Sequence, residues 1–178
     1  MRSAMFKPFY PDKWVDSTYN IDFEDLYKRG YRGIIFDIDN TLVPHGAPAD
    51  ERAVELFDRL REIGFESILL SNNDEARVDM FNKDVHTHTL CHAHKPSKKG
   101  YLAAMQIMNT TKETTLTIGD QLFTDMWGAY KAGIYKILVK PIHPKEEIQI
   151  VLKRILEKLI LARYKRKQRI QRFRQRKQ

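Results

Sequence analysis

From Gly33 onward, short apolar runs alternate with stretches of helical periodicity, and the runs end on polar groups. Gly33-Ile34-Ile35-Phe36 is continuously apolar, as a strand buried on both faces must be. Ser67-Ile68-Leu69-Leu70, Thr115-Leu116-Thr117-Ile118 and the stretch 135–139 read the same way, and 85–91 reads as a further strand. Between them, 50–63 places Ala53, Leu56, Phe57, Leu60 and Ile63 on one helical face, with Pro48 before it and Gly64 after it. A short helix is expected over 74–82. Ser97 can cap a helix reaching Met108, with Tyr101, Leu102, Met105 and Met108 inward. Gly133 stops a helix over 122–132, and a last helix is expected from 145 to about 162. Strands that alternate with helices imply crossover units, so the expected fold class is α/β with a doubly wound, Rossmann-like parallel sheet.

In such sheets ligands bind beyond the carboxyl ends of the strands. The residues there are distinctive. Asp37-Ile38-Asp39-Asn40-Thr41 comes after the first strand, and Ser71-Asn72-Asn73 after the second. Gly119-Asp120 comes after the strand at 115–118, with Asp125 five residues on. Lys95 lies just ahead of the helix capped by Ser97. Topology would gather these groups at one sheet edge. Four carboxylates in a small volume repel unless one holds a proton or a cation neutralises them. Hard oxygen donors without His or Cys suit Mg²⁺. The Ser71 hydroxyl and the Lys95 ammonium are donors suited to a phosphate. A phosphate, a cation and a free carboxylate point to phosphoryl transfer. One Asp-x-Asp is an ordinary turn, but four such features in order at strand ends are a specific pattern.

On these residues the segment from Asp37 to Asp125 resembles the haloacid dehalogenase-like (HAD) superfamily. FDIDNTL resembles its first motif, Ser71 the second, Lys95 in HKP the third and GDQLFTD the fourth. Over roughly residues 10–162 the chain is similar to small capless bacterial phosphatases of subfamily IIIA. That branch is itself similar to phosphatidylglycerophosphate phosphatases. The resemblance implies a Mg²⁺-dependent phosphomonoester hydrolase. It makes Asp37 the nucleophile that becomes an aspartyl-phosphate, and Asp39 the acid and then the base. Thr41, Ser71, Asn72 and Lys95 become phosphate-binding residues. Asp37, the Asp39 backbone carbonyl and Asp120 become metal ligands, with Asp125 in support.

The gaps between these motifs, 34 residues from Asp37 to Ser71 and 24 from Ser71 to Lys95, leave no room for an added cap domain. An open site admits phosphates carried on something large, such as a lipid, a protein or a nucleic acid. A soluble sugar, nucleotide or protein phosphate is the alternative substrate class, and a partner subunit of an oligomer could supply a cap.

Three segments divide the chain. Residues 1–32 are an aromatic-rich arm, holding eight of the chain's nineteen Phe, Trp and Tyr, and are expected to pack on the body through their rings. Residues 33–162 form the core. Residues 163–178 carry nine Lys or Arg and no acid. Taking those nine from the chain's 31 leaves 22 against 23 Asp and Glu, so the high charge belongs to the tail. It adjoins an amphipathic stretch at 148–160. Three readings of it stand open: a docked helix with a solvated end, a peripheral contact with anionic lipid, and an RNA- or ribosome-binding module. The first two fit the core better, because the tail has few rings for base stacking.

The chain has no apolar run of membrane-spanning length, and its first residues, MRSAMFKPFYPDKW, lack a signal peptide's apolar centre. With Cys91 as its one cysteine, a cytoplasmic protein is expected, at most peripheral to the inner face of the membrane. His86, His88, His92 and His94 surround Cys91, but their spacing matches no common zinc pattern, and alternation along a strand explains it as well. His45 reads as an ordinary loop residue that could touch substrate.

Overall fold

The computed structural model describes residues 6–143, 157–166 and 168–169. Six parallel strands form one sheet: β1 (Lys13–Val15), β2 (Gly33–Phe36), β3 (Glu66–Leu70), β4 (His88–Leu90), β5 (Thr115–Gly119) and β6 (Tyr135–Val139). Their order is β1-β6-β5-β2-β3-β4. The chain therefore winds outward from β2 to β3 and β4, then returns across β2 to build β5 and β6. The reversal falls between β2 and β5, the crevice where doubly wound sheets bind their ligands. Register brings Phe36 opposite both Leu69 and Ile118, so β2, β3 and β5 end together.

Side-chain alternation along the central strands sorts two cores. Ile34 and Phe36 face a cluster with Leu56, Phe57 and Leu60 of α2 (Glu51–Ile63), Val78 and Phe81 of α3 (Glu75–Val85), and Phe23 and Leu26 of α1 (Phe23–Lys28). Ile35 faces the other way, with Ile68 and Leu70, toward Tyr101, Ala104 and Met105 of α4 (Lys98–Ile107) and Ala129 of α5 (Trp127–Ala132). Each fully buried aliphatic or aromatic side chain contributes about 1.5–3 kcal/mol, so these faces account for the central strands being apolar throughout. Asp50, Asp74 and Ser97 cap α2, α3 and α4 through their side chains. Gly64 (φ 103°) and Gly133 (φ 76°) end α2 and α5 in the left-handed conformation.

Several boundaries differ from expectation. The arm contains an edge strand: β1 pairs with β6, and Asp12 accepts from the Lys136 backbone N–H and ammonium. Three residues ending in Val15 are too short for periodicity to reveal. The helix expected over 74–82 runs on to Val85, where His86 closes it in the left-handed conformation. The strand expected over 85–91 is therefore only His88–Leu90, and of the four clustered histidines only His88 lies in it. The helix expected over 122–132 opens as a π-turn, Leu122–Met126.

The last helix is described only in part. Residues 145–156 lie outside the described set, with most of the amphipathic stretch, as do 167 and 170–178 of the tail. Residues 157–166 are helical, so the helix passes the composition break at Arg163. Its Ile160 packs with Leu122, Met126 and Leu138, the Tyr164 ring lies tilted against that of Tyr10 with centroids 5.4 Å apart, and Lys165 lies 4.5 Å from the Trp14 ring. The first basic residues thus dock on the arm, because chain ends with aromatic and aliphatic stems to bury find each other. Among the described residues no helix is long and apolar enough to cross a membrane.

Candidate active site

The residues just beyond the carboxyl ends of the central strands build the site. The Asp37 backbone N–H donates to the Ile118 carbonyl at 3.0 Å, which extends β2–β5 pairing by one residue and sets Asp37 beside Asp120. Asp37, Asp120 and Asp125 each offer a carboxylate oxygen, all within 4.8 Å of one another, and two of the three are buried. Among the described residues this is the group of acids, histidines and cysteine close enough to share one ion; the clustered histidines form none. Asp125 comes in from the π-turn. Its approach requires Gly119, where a Cβ would lie 2.5 Å from the Asp125 Cγ.

Lys95 enters the same space. Its ammonium donates to Asp37 Oδ1 at 2.5 Å and to Asp125 Oδ1 at 2.7 Å, and it is nearly buried. Thr41 Oγ1 donates to Asp37 Oδ2 at 3.0 Å and lies 3.4 Å from Asp120 Oδ1. Burial pushes the Asp37 carboxyl up to about 6; Lys95 pulls it back, while Asp125 adds to the rise. Burial alone would lower Lys95, but Asp125 and Asp37 outweigh it and raise its pKa well above the usual value. A crowded, buried carboxylate cluster of hard oxygens is what a divalent cation fits, and the cation would relieve the repulsion felt by Asp37.

Asp39 stands outside this group. Its Oδ1 accepts from the Gly46 backbone N–H and from Arg77 Nη2, both at 2.8 Å, and its Oδ2 accepts from Asn73 Nδ2 at 2.5 Å. His45 is 3.9 Å away. Burial raises the Asp39 carboxyl, but the Arg77 guanidinium and the Gly46 N–H outweigh it, and its pKa is lowered overall.

Ser71 is buried at the end of β3, with its hydroxyl accepting from the Asn73 N–H at 3.1 Å. Asn72 makes a contact that its place after β3 does not announce. Its side chain accepts from the Lys95 backbone N–H at 2.6 Å and donates to the Lys95 carbonyl, so it clamps the loop that carries Lys95. Arg77 is a site residue that the sequence pattern does not mark, and Asn73 lies in the marked stretch after β3 without a role assigned to it. Both precede or open an ordinary-looking helix, and their link to Asp39 spans 34 and 38 residues. Two arm residues are equally silent in the sequence. Thr18 Oγ1 donates to the Thr41 carbonyl at 2.8 Å, and the Tyr19 hydroxyl donates to the Leu42 carbonyl at 2.7 Å, buttressing the first-motif loop from behind.

Comparison with known proteins gives the family and the fold. The HAD-hydrolase-like family model (Hydrolase_like) matches residues 92–148. The chain is 37% identical over 169 residues to the probable phosphatase YqeG of Bacillus subtilis, covering 94% of this chain and 98% of that protein. It is 27% identical over 168 residues to phosphatidylglycerophosphate phosphatase 1, chloroplastic/mitochondrial, of Arabidopsis thaliana. That match covers 88% of this chain and 48% of the plant protein, so the chain spans about half of that relative. Among solved structures, a HAD-superfamily hydrolase from Ehrlichia chaffeensis shares the fold, with a TM-score of 0.50 at 18% identity, covering 72% of this chain and 97% of that one.

Proposed function

The chain belongs to the HAD-like hydrolases and is a phosphatase of that family, and from this premise we propose that it hydrolyses a phosphomonoester through an aspartyl-phosphate on Asp37, with Mg²⁺ as cofactor. The observation that carries the reading is Lys95 bridging Asp37 and Asp125 beside Asp120, at the switch point of the sheet. A Mg²⁺ ion held by Asp37, Asp120 and the Asp39 backbone carbonyl would offset the charge that gathers where the phosphate meets these carboxylates.

In this mechanism an Asp37 carboxylate oxygen forms the new bond to phosphorus while the bond to the leaving oxygen breaks. Lys95 balances the nucleophile's charge and that of the phosphoryl oxygens. Ser71 and Thr41 hydroxyls, and the backbone around them, hold those oxygens. Asp39 gives its proton to the leaving oxygen, then takes one from the water that attacks phosphorus and frees Asp37. With Arg77 and the Gly46 N–H upon it, Asp39 is in its base form; its acid form requires release from Arg77. The asparagine clamp from Asn72 keeps Lys95 in place through both halves.

For the substrate we infer a phosphate carried at a membrane surface, phosphatidylglycerophosphate in particular. The Arabidopsis relative supports it, as does the connectivity around the site: only α2 lies between β2 and β3 apart from loop, and only α3 and β4 between β3 and α4. Among the described residues no added domain covers the site, and a headgroup could approach it. The basic C-terminal segment would hold the enzyme reversibly on anionic lipid, at about 1 kcal/mol per Lys or Arg near the surface.

Asp37→Asn should abolish release of phosphate from p-nitrophenyl phosphate while the protein stays folded, and a chelator should stop the wild type until Mg²⁺ is restored. An Asp37→Asn variant that retains most activity overturns the mechanism. Liposomes containing phosphatidylglycerophosphate test the substrate. Phosphate release and salt-sensitive binding are expected; activity on soluble esters alone, with no binding at low salt, would move the reading to a soluble substrate.

A further inference from the structure

The Arg77 side chain uses one arm of its guanidinium and leaves two idle. Nη2 donates to Asp39 at 2.8 Å. Nε and Nη1 are both out of solvent and have no hydrogen-bond partner. A buried donor without a partner costs about 1–3 kcal/mol, more when it is charged. A group so placed calls for an explanation, and a ligand that settles it is one.

The position says which ligand. Arg77 lies in the first turn of α3, above β3, and touches the one carboxylate of the site whose task concerns the leaving oxygen. Arg77 is thus tied to the residue assigned to the leaving group, whereas Lys95 holds Asp37 and Asp125. Nε and Nη1 each share an edge of the planar fork with Nη2, so either edge receives two oxygens of a carboxylate or phosphate once Nη2 turns from Asp39. Neither Asp37, Asp120 nor Asp125 is among its partners.

We propose that Arg77 is a specificity residue that binds a second anionic group on the leaving alcohol, so that the preferred substrate is a phosphomonoester with a carboxylate or phosphodiester a few atoms away. The proposal rests on the phosphatase reading and deepens it. In the unliganded arrangement Asp39 occupies the guanidinium. A substrate anion would compete for it, drawing the guanidinium off Asp39 and leaving that carboxyl free to turn to the leaving oxygen. A substrate without the second anion lacks this exchange. It would bind less well and would react with Asp39 still held.

Two matched pairs test this. Glycerol 2-phosphate and 2-phosphoglycerate differ only in a carboxylate. Phosphatidic acid and phosphatidylinositol 4-phosphate, each in phosphatidylcholine vesicles, differ in an inositol phosphodiester set between the monoester and the diacylglycerol. The wild type should favour the second member of at least one pair in kcat/KM by about tenfold or more, the value of one charge-assisted contact. Preference within the soluble pair alone identifies a free metabolite as the source; preference within the vesicle pair alone identifies a lipid headgroup. Arg77→Ala should bring the ratio near unity, with KM rising more for the second member, and Arg77→Lys should keep part of it. Thermal melts of both variants establish that they fold.

A wild type with no preference in either pair overturns the proposal. So does an Arg77→Ala variant that lowers both members by one factor, for then Arg77 only orients Asp39. A wild type that hydrolyses none of the four esters nor p-nitrophenyl phosphate defeats the phosphatase reading and this proposal together. The first two results leave that reading standing.

Discussion

Lys95 reaches into the sheet edge from the loop ahead of α4 and meets two carboxylates at once, Asp37 and Asp125. Asp37 and Asp120 are legible in the sequence, because each lies just past an apolar run that reads as a buried strand, and Asp125 by its place five residues beyond Asp120. The partners of Asp39 are not. Arg77 and Asn73 reach Asp39 across more than thirty residues, and nothing in local spacing encodes such a contact. The place of Asn72 after β3 suggests a phosphate ligand, and nothing in that place announces the hold its side chain has on the Lys95 backbone. The raised carboxyl of Asp37 has a consequence for stability. The folded chain holds that proton up to a pH of about 6, whereas an ordinary aspartate loses it near 3.8. In that window the folded state binds more protons, so this group's contribution to stability falls as pH rises from about 4 through 6. Melting temperatures of metal-free wild type and Asp37→Asn should therefore diverge across the window, the wild type losing ground as pH rises. Parallel profiles would contradict the raised pKa.

At the level of elements, the sheet and the helices that flank it are written in apolar periodicity and in punctuation such as Ser97, Gly64 and Gly133. The short pieces are not. β1 has three half-buried residues and is fixed by Asp12 and by pairing with β6, both of which depend on a partner more than a hundred residues away. The π-turn hides inside a helical pattern, yet it is what swings Asp125 inward. The arm is thus more than a ring-bearing wrapper, since it supports the first-motif loop directly. Thr18→Val keeps the shape and removes the donor to the Thr41 carbonyl. It should cost about 1–3 kcal/mol in denaturant unfolding, and kcat should fall because Thr41 orients Asp37. Unchanged stability and kcat would mean that the buttress is idle.

Over the whole molecule, the C-terminal helix closes the structure. Glu157 accepts from the Leu122 N–H at 2.8 Å, at the start of the π-turn, and Ile160 covers Leu122, Met126 and Leu138. Composition marks a boundary at Arg163, but packing carries the helix past it, since Tyr164 is nearly buried. Removing 170–178 should leave the melting temperature and hydrolysis of p-nitrophenyl phosphate unchanged. Removing 157–178 exposes the three apolar residues and orphans the Leu122 N–H, so the melting temperature should drop by several degrees or more, at roughly 2–4 °C per kcal/mol for a chain of this size. Equal melting temperatures for the two truncations would show that the helix does not hold the π-turn. All of these contacts converge on Asp37, and the chemistry assigned to it can be caught directly. Protein mixed with substrate and Mg²⁺, quenched in acid and digested, is read by mass spectrometry. The account predicts a phosphoryl group on Asp37, more of it in Asp39→Asn, which lacks the base for the second step, and none in Asp37→Asn. Turnover with no such adduct in either the wild type or Asp39→Asn, or an adduct on another residue, would contradict it.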